Sequence, residues 1–241
     1  MHWRRRRNRR GAGDALITVL VLGASRGIGR EFVRQYLAEG ARVLATARDA
    51  ASLQALRASG AEAFELDVAD PASVSSLAWR LDGEAIDIAL YVAGVITRES
   101  ADTPPTQQAF DHLMHTNVLG AMQLIPQVAP RVQAAAHGKG GKFAFISSDM
   151  GHIGSVAASN CWTYRVSKAA LNMAVAAAHH DYPGATMVTL SPGWVQTDMG
   201  GAAAALSAED SVSAMRRTLG SLGRQDSGLF FRLDGRRFEG Y

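Results

Sequence analysis

The sequence predicts an α/β fold: a seven-stranded, doubly wound parallel sheet with helices on both faces. Three observations predict it. Short apolar strands alternate with helical segments along the body of the chain. Several of the strands are nearly continuous apolar runs, the pattern of strands buried on both faces. A glycine-rich turn follows the first strand directly and opens a helix. The strand candidates are residues 16–22, 43–46, 63–66, 86–92, 142–147, 186–191 and 229–233. Alternation over such short distances makes right-handed βαβ crossovers the default connection.

Helices fit between the strands. Ile28, Phe32, Val33, Tyr36 and Leu37 recur at helical spacing, and Gly40 is placed to end that helix. Asp70 followed by Pro71 reads as a cap and a first-turn proline. A long helical region covers residues 107–132, with kinks expected at Pro126 and Pro130. Alanine-rich 164–180 is a further helix, and 208–219 another. There is no repeat and no linker, so residues 14–241 read as one domain behind a disordered basic extension, 1–13.

Composition narrows the function classes. At 47% hydrophobic and 20% charged residues, 241 residues are enough for one sizeable core. The net charge of +3 belongs to the N-terminus: Arg4, Arg5, Arg6, Arg7, Arg9 and Arg10 precede the first acid, Asp14, and without them acids outnumber bases. A nucleic-acid enzyme more often spreads its basic residues over a folded face, so no nucleic-acid partner is expected. The single cysteine, Cys161, allows neither an intrachain disulfide nor a thiolate zinc site. The pairs His112/His115 and His179/His180 lack a third ligand, and no metal is expected. Arginines before the apolar run 15–24 imitate an export signal, but cleavage there would destroy the glycine turn. A cytoplasmic protein is expected, without a membrane partner, since no run is long and apolar enough to span a bilayer.

The turn is Gly23, Ala24, Ser25, Arg26, Gly27, Ile28, Gly29. Gly23 allows a tight exit from the strand, Gly27 lets backbone approach a ligand, and Gly29 lets the helix pack closely on the sheet. The helix start then offers free N–H groups and a positive dipole end to a pyrophosphate. A plain strand–turn–helix corner is the other reading of this segment alone. The second strand bears on cofactor choice. An acid near its end would bond a ribose 2′-hydroxyl, but the position holds Ala47 and Arg48 follows. Arg48, with Arg26 from the turn, can bind a 2′-phosphate through charge-assisted hydrogen bonds, so NADP(H) is preferred over NAD(H). Two solvated surface arginines are the alternative, and Asp49 can pair with Arg48.

Tyr164 and Lys168 stand at i and i+4, where helical side chains share one face. Together with the Gly23/Gly27/Gly29 turn, Asp67-Val68, Ala93-Gly94, Asn117, Ser147-Ser148 and Pro192-Gly193, in that order, they make the chain resemble the short-chain dehydrogenase/reductase family, a single-domain Rossmann fold. The resemblance runs from Ile17 to about Tyr241. Residues 164–173 and 192–201 look most like its sniffer-type and C-factor-like carbonyl reductase branch.

The resemblance implies NADPH-dependent reduction of a small ketone or aldehyde. Tyr164 would give a proton to the carbonyl oxygen. Lys168 at about 4 Å would stabilise the phenolate by roughly 4 kcal/mol at an effective dielectric of 20, at most about three pKa units, and would hold the nicotinamide ribose. Ser148 would polarise the substrate oxygen, with Ser147 the lesser candidate. Asn117 would support a water chain to the lysine; an asparagine buried only for structure is the alternative. Asp67 and Val68 would meet the adenine, and Ala93 and Gly94 the adenosine ribose. Pro192, Gly193, Val195 and Thr197 would frame the nicotinamide. Met150, His152, Trp162 and Trp194 are candidate pocket walls.

Two departures stand out. Val92 occupies a position where the family commonly has asparagine, and the loop between Ser148 and Tyr164 is longer than its commonest form. The altered Val92 and the basic tail leave a non-catalytic NADP(H)-binding sensor as the alternative function. The oligomeric state is left open: the long helices resemble those that form the family's dimers, while monomers occur in its carbonyl reductase branch.

Overall fold

The computed structural model describes residues 16–135 and 140–240. The extension 1–13 lies outside them. Seven strands form one sheet: β1 Thr18–Leu22, β2 Arg42–Ala47, β3 Glu62–Glu65, β4 Ile88–Tyr91, β5 Lys142–Ile146, β6 Thr186–Ser191 and β7 Phe230–Arg232. Their spatial order is β3-β2-β1-β4-β5-β6-β7, and every neighbouring pair is parallel. The chain winds outward from β1 through β2 and β3, then returns to place β4 on the other side of β1. That reversal opens a crevice above the carboxyl ends of β1 and β4, where open α/β sheets bind ligands.

Strand periodicity builds two cores. Val19 and Val21 face one side of β1, Leu20 and Leu22 the other. The first face packs on Phe32, Val33 and Tyr36 of α1 (Gly27–Ala38) and on Val212, Met215 and Leu219 of the C-terminal helix. The second packs Tyr91, Phe143 and Phe145 against Leu124, Val128, Leu171 and Val175 from two further helices. Both faces are dry, which is why the strands read as unbroken apolar runs.

Three local features differ from the sequence expectation. A helix, α2 (Ala50–Ala58), fills the β2–β3 connection that the sequence reading left unassigned. Asp49 caps it, accepting from the Ser52 N–H at 2.8 Å, and so is not the partner of Arg48. Residues 70–80 form two short helices, α3 (Pro71–Ser75) and α4 (Leu77–Arg80), the first capped by Asp70. The long region 107–132 divides, but not at its prolines. α5 (Gln107–Met114) passes through a π-helical turn (His115–Leu119) into α6 (Gly120–Gln133). Pro126 and Pro130 lie inside α6 on its exposed face, where solvent can take the carbonyls they leave unpaired. α7 (Trp162–Ala178) and α8 (Ala208–Ser221) complete the helices.

One tight contact in this frame lies under the crevice. A Cβ on Gly29 would stand 2.1 Å from the Gly23 carbonyl oxygen, a backbone atom that cannot swing aside. Gly29→Ala gains about 1 kcal/mol of helix propensity but forces apart the turn and the first coil of α1. Overpacking of this kind costs about 1–3 kcal/mol, so the clash should win. We expect a net loss of stability in urea unfolding; an unchanged midpoint would contradict this packing.

Candidate active site

A cleft runs along the carboxyl edge of the sheet from the end of β3 to the segment after β6. At its centre is the glycine turn. Gly23 has φ +92°, and a Cβ there would lie 2.7 Å from the Ala93 nitrogen, so the turn sits directly on the end of β4. Thr46 of β2 fastens it, its hydroxyl accepting from the Gly23 N–H at 3.0 Å and its carbonyl from the Ala24 N–H at 2.7 Å. α1 starts without a side-chain cap and with no acid in its first turn. Its free N–H groups and dipole therefore favour an anion. A bare backbone cradle ahead of an uncapped helix fits a dinucleotide pyrophosphate.

Ser25, Arg26, Gly27 and Ile28 of the turn line the cleft with Gly23 and Gly29. Arg48, Asp67, Val68, Ala93 and Gly94 form the wall at the ends of β2, β3 and β4. Ala47, where an acid would select a free ribose, is a buried wall residue. Arg48 is exposed and lies 3.9 Å from Asp67, which also accepts from the Ala69 N–H. Arg26 turns the other way, to Asp198 beyond β6, at 2.9 Å.

At the far end, Tyr164 and Lys168 project from one face of α7 into the cleft, only 6% and 4% exposed. The helix that carries them begins at Cys161, whose φ of +56° turns the chain sharply, and the Trp162 N–H is held by the Glu99 carbonyl. The Lys168 ammonium donates to the Ile146 carbonyl at 2.8 Å and lies 5.7 Å from the centre of the Tyr164 ring. Burial pulls the lysine down to about 8. Burial also pushes the Tyr164 phenol up to about 12, with the nearby Ser148 hydroxyl opposing the rise. This reverses the direction expected from an ammonium beside a phenol: the lysine points at a carbonyl, and desolvation of the phenol prevails.

Asn117 is wholly buried in the π-helical turn. Its Oδ1 accepts from the Val95 N–H at 2.8 Å, and its Nδ2 donates to the Val95 carbonyl and the Ser167 hydroxyl, both at 2.9 Å. The side chain is thus a clamp between the end of β4 and α7. It makes no direct bond to Lys168. Gly94 leaves room between them: a Cβ there would lie 3.4 Å from Asn117 Oδ1 and 3.6 Å from Lys168 Nζ.

Ser148 follows β5 and caps the next turn through a 3.2 Å bond from the Met150 N–H. Its neighbour Ser147 lines the cleft, with a buried hydroxyl that has no partner. Asp149 was not anticipated. It bonds the Ser191 hydroxyl and pairs with Arg232 at 2.9 Å, tying the ends of β5, β6 and β7 together behind the serine.

Pro192 and Thr197 line the cleft, but Gly193 and Val195 do not. A Cβ on Gly193 would meet Leu206 at 2.9 Å, and Val195 is buried in a bridge to Leu206. They pack the base of the loop, because its backbone turns inward there. His152 bonds Ser155 and the Glu239 carbonyl and packs against the tilted Phe238 ring, so it anchors the C-terminal segment. Trp194 is largely exposed, its indole N–H on the Gly200 carbonyl. Trp162, the first residue of α7, keeps its indole nitrogen buried and unpartnered and is not part of the cleft wall. Met150 does pack beside Tyr164, in an apolar cluster with Val95, Ile96, Leu113, Met114 and Cys161. Sequence reasoning missed the wall residues Val95, Thr116, Ile146, Asp198 and Met199. Val95 directly follows Ala93-Gly94, and Asp198 and Met199 lie inside the stretch 192–201; those positions are the signal that could have found them. Among the described residues no cluster of three or more His, Cys, Asp or Glu could hold a metal, and no helix is long and apolar enough to cross a membrane.

A parallel sheet of this order, a phosphate-sized glycine cradle and a buried tyrosine–lysine pair define a dinucleotide-binding oxidoreductase scaffold. The chain belongs to the short-chain dehydrogenase family, whose model matches residues 17–206. Among curated proteins it is 40% identical over 121 residues to the C-signal of Myxococcus xanthus, covering 49% of this chain and 71% of that one. Its structure is similar to NADPH-bound carbonyl reductase from chicken fatty liver (TM-score 0.83, 32% identity, 92% and 98% of the two chains). It is also similar to carbonyl reductase Sniffer of D. melanogaster (TM-score 0.84, 25% identity, 93% and 99%).

The lysine's displacement predicts a pH dependence. Between about pH 8 and its ordinary 10.5, the unfolded chain keeps a proton that folded Lys168 has released. Stability should therefore rise with pH through that window, by at most about 1.4 kcal/mol per pH unit from this group. Urea unfolding of wild type and Lys168→Met between pH 7 and 9.5 reads the difference. Equal slopes in the two proteins would show that the lysine is not desolvated.

Proposed function

We propose that this protein is an NADPH-dependent carbonyl reductase that converts a small, largely apolar ketone or aldehyde to an alcohol, with Tyr164 as proton donor. The observation that carries the reading is the burial of Tyr164 and Lys168 side by side in the cleft that begins at the glycine turn. NADPH, when bound, supplies a hydride to the substrate carbon. The glycine turn and the start of α1 would hold the pyrophosphate, with Asp67 and Val68 at the adenine and Lys168 at the nicotinamide ribose. Preference for NADP(H) over NAD(H) rests on Ala47 in place of an acid and on exposed Arg48 beside it. The similar chicken carbonyl reductase holds NADPH, which supports the same choice.

The proton chemistry follows from burial. A phenol titrating near 12 is fully protonated at neutral pH, the form that can donate. The Ser148 hydroxyl would hold the carbonyl oxygen within reach of it. As Tyr164 Oη gives up its proton, negative charge develops beside Lys168, which near neutral pH is still mostly an ammonium. A cation in so dry a place stabilises that charge more than it would in water. Asn117 contributes by holding the β4 loop and α7 at a fixed distance. The apolar cluster of Val95, Ile96 and Met150 around the tyrosine offers no charged anchor, which favours an apolar substrate.

Tyr164→Phe removes the proton donor and leaves the cofactor cradle alone. Turnover should fall at least 10³-fold or so, while NADPH affinity, read by nicotinamide fluorescence, stays within about threefold. Retained turnover would remove Tyr164 from this role. Wild-type protein that binds NADPH but reduces nothing in a broad aldehyde, ketone and quinone panel would favour the sensor instead.

A further inference from the structure

Behind Ser148 runs a series of contacts that ends in the C-terminal segment. Ser148 has extended backbone, and its hydroxyl oxygen accepts from the Met150 N–H at 3.2 Å. The direction of that hydroxyl is therefore set by the single turn that follows, Asp149–Gly151. One side of the turn is wedged against α7: a Cβ on Gly151 would lie 2.8 Å from the Lys168 carbonyl carbon. Asp149 ties the other side. Its N–H donates to the Ser191 hydroxyl at 3.1 Å, one carboxylate oxygen accepts from that hydroxyl, and the other accepts from Arg232 Nη1 at 2.9 Å. The Arg232 guanidinium lies over the Phe238 ring, 4.0 Å from its centre. Phe238 stacks on Phe230 at 4.1 Å and packs against His152 at 4.9 Å. A carbonyl only accepts, so His152 donates through Nε2 to the Glu239 carbonyl at 3.0 Å. None of Asp149, His152, Arg232 and Phe238 is a wall residue of the cleft.

We propose that Arg232, held by Phe238, is a positioning residue: its pair with Asp149 fixes the turn that aims the Ser148 hydroxyl at the substrate oxygen. The inference rests on the carbonyl reduction proposed above, in which Ser148 holds that oxygen. The two side chains of the pair are 34% and 50% exposed, so the pair contributes little to stability. Its geometry matters more. A planar guanidinium packed on an aromatic ring offers its N–H groups in a set direction, which a flexible ammonium does not. The carboxylate is then held in orientation as well as distance. Ser148 is the preceding residue, and its hydroxyl lies beside the Tyr164 phenol. A shift of the turn changes the donor geometry at the reacting oxygen and leaves the nucleotide cradle alone.

The test is steady-state reduction by wild type, Arg232→Met, Arg232→Lys and Phe238→Leu, each also in a Ser148→Ala background. The substrate is the fastest-reduced member of a carbonyl panel headed by phenanthrenequinone and para-nitrobenzaldehyde. Thermal unfolding checks that each variant is folded, and nicotinamide fluorescence that it binds NADPH as wild type does. Arg232→Met should lower kcat about tenfold or more, with NADPH affinity unchanged. Arg232→Lys keeps the charge without the planar fork, and Phe238→Leu keeps the pair without its ring. Both should fall between Arg232→Met and wild type. In the Ser148→Ala background none of the three should lower kcat further, because the hydroxyl they aim is gone. If Arg232→Met does not fold, the same comparison on Arg232→Lys and Phe238→Leu decides. An equal drop in both backgrounds, or wild-type kcat in the folded variants, overturns the positioning role while leaving the reductase reading standing. Wild-type protein that reduces no member of the panel overturns both.

Discussion

The site depends on one buried ammonium. Lys168 carries three donors into a place with almost no solvent, and among the described residues the Ile146 carbonyl is its protein acceptor. Desolvation of that charge is unfavourable, and the surrounding fold must hold the lysine against it. α7 does so by packing Leu171 and Val175 into the core below the sheet, which leaves Lys168 no route to the surface. The π-helical turn does so by setting Asn117 at the depth where its amide clamps Val95 to Ser167. Ser167 in turn bonds the Tyr164 carbonyl, so the clamp reaches the first turn of α7.

The same burial explains why the phenol and the ammonium do not titrate as a simple pair in water would. Each loses more by desolvation than it gains from the other at a separation of 5.7 Å to the ring centre. Both are driven toward neutrality, the tyrosine by keeping its proton and the lysine by releasing one. A site prepared in this way is poised for a reaction that creates negative charge between them, because that charge restores the favourable ionisation of the lysine. In the proposed reaction the ammonium's effect would be concentrated in the transition state, where it would accelerate the step.

Much of this was legible in the chain. The strands announced themselves because burial on both faces leaves no polar alternation to confuse the pattern. The glycine turn was legible because a strand, a glycine cluster and a helix met at one point, and Tyr164 with Lys168 because helical spacing alone puts them on one face. What stayed hidden depends on long-range contact. The π-helical turn at Asn117 has no periodic signature, and the two prolines in α6 drew attention to the wrong place because the exposure that makes them harmless is a tertiary property. α2 went unassigned because its short apolar stripe is weak and Asp49 invited a different explanation. No local rule pairs Arg26 with a residue 172 positions away, and none shows that Gly193 and Val195 turn their backs on the cleft.

The two ends of the cleft belong to different halves of the winding. The end at Asp67 is built from β1 to β3, and the end at Tyr164 from β4 onward. Within the sheet they share only the β1–β4 pairing and the contact of Gly23 with Ala93. Above the sheet, the described contacts between them include Arg26 with Asp198, the glycine turn with Thr197, and Val68 with Gly120. A dinucleotide lying from Asp67 to Tyr164 would touch both halves along its whole length, so it would add interface between them. Binding energy gained on the non-reacting adenosine end would then order the segment 197–199 beside the reacting end. On the proposed function, the cofactor's remote half would assist the chemistry by completing the wall beside Tyr164.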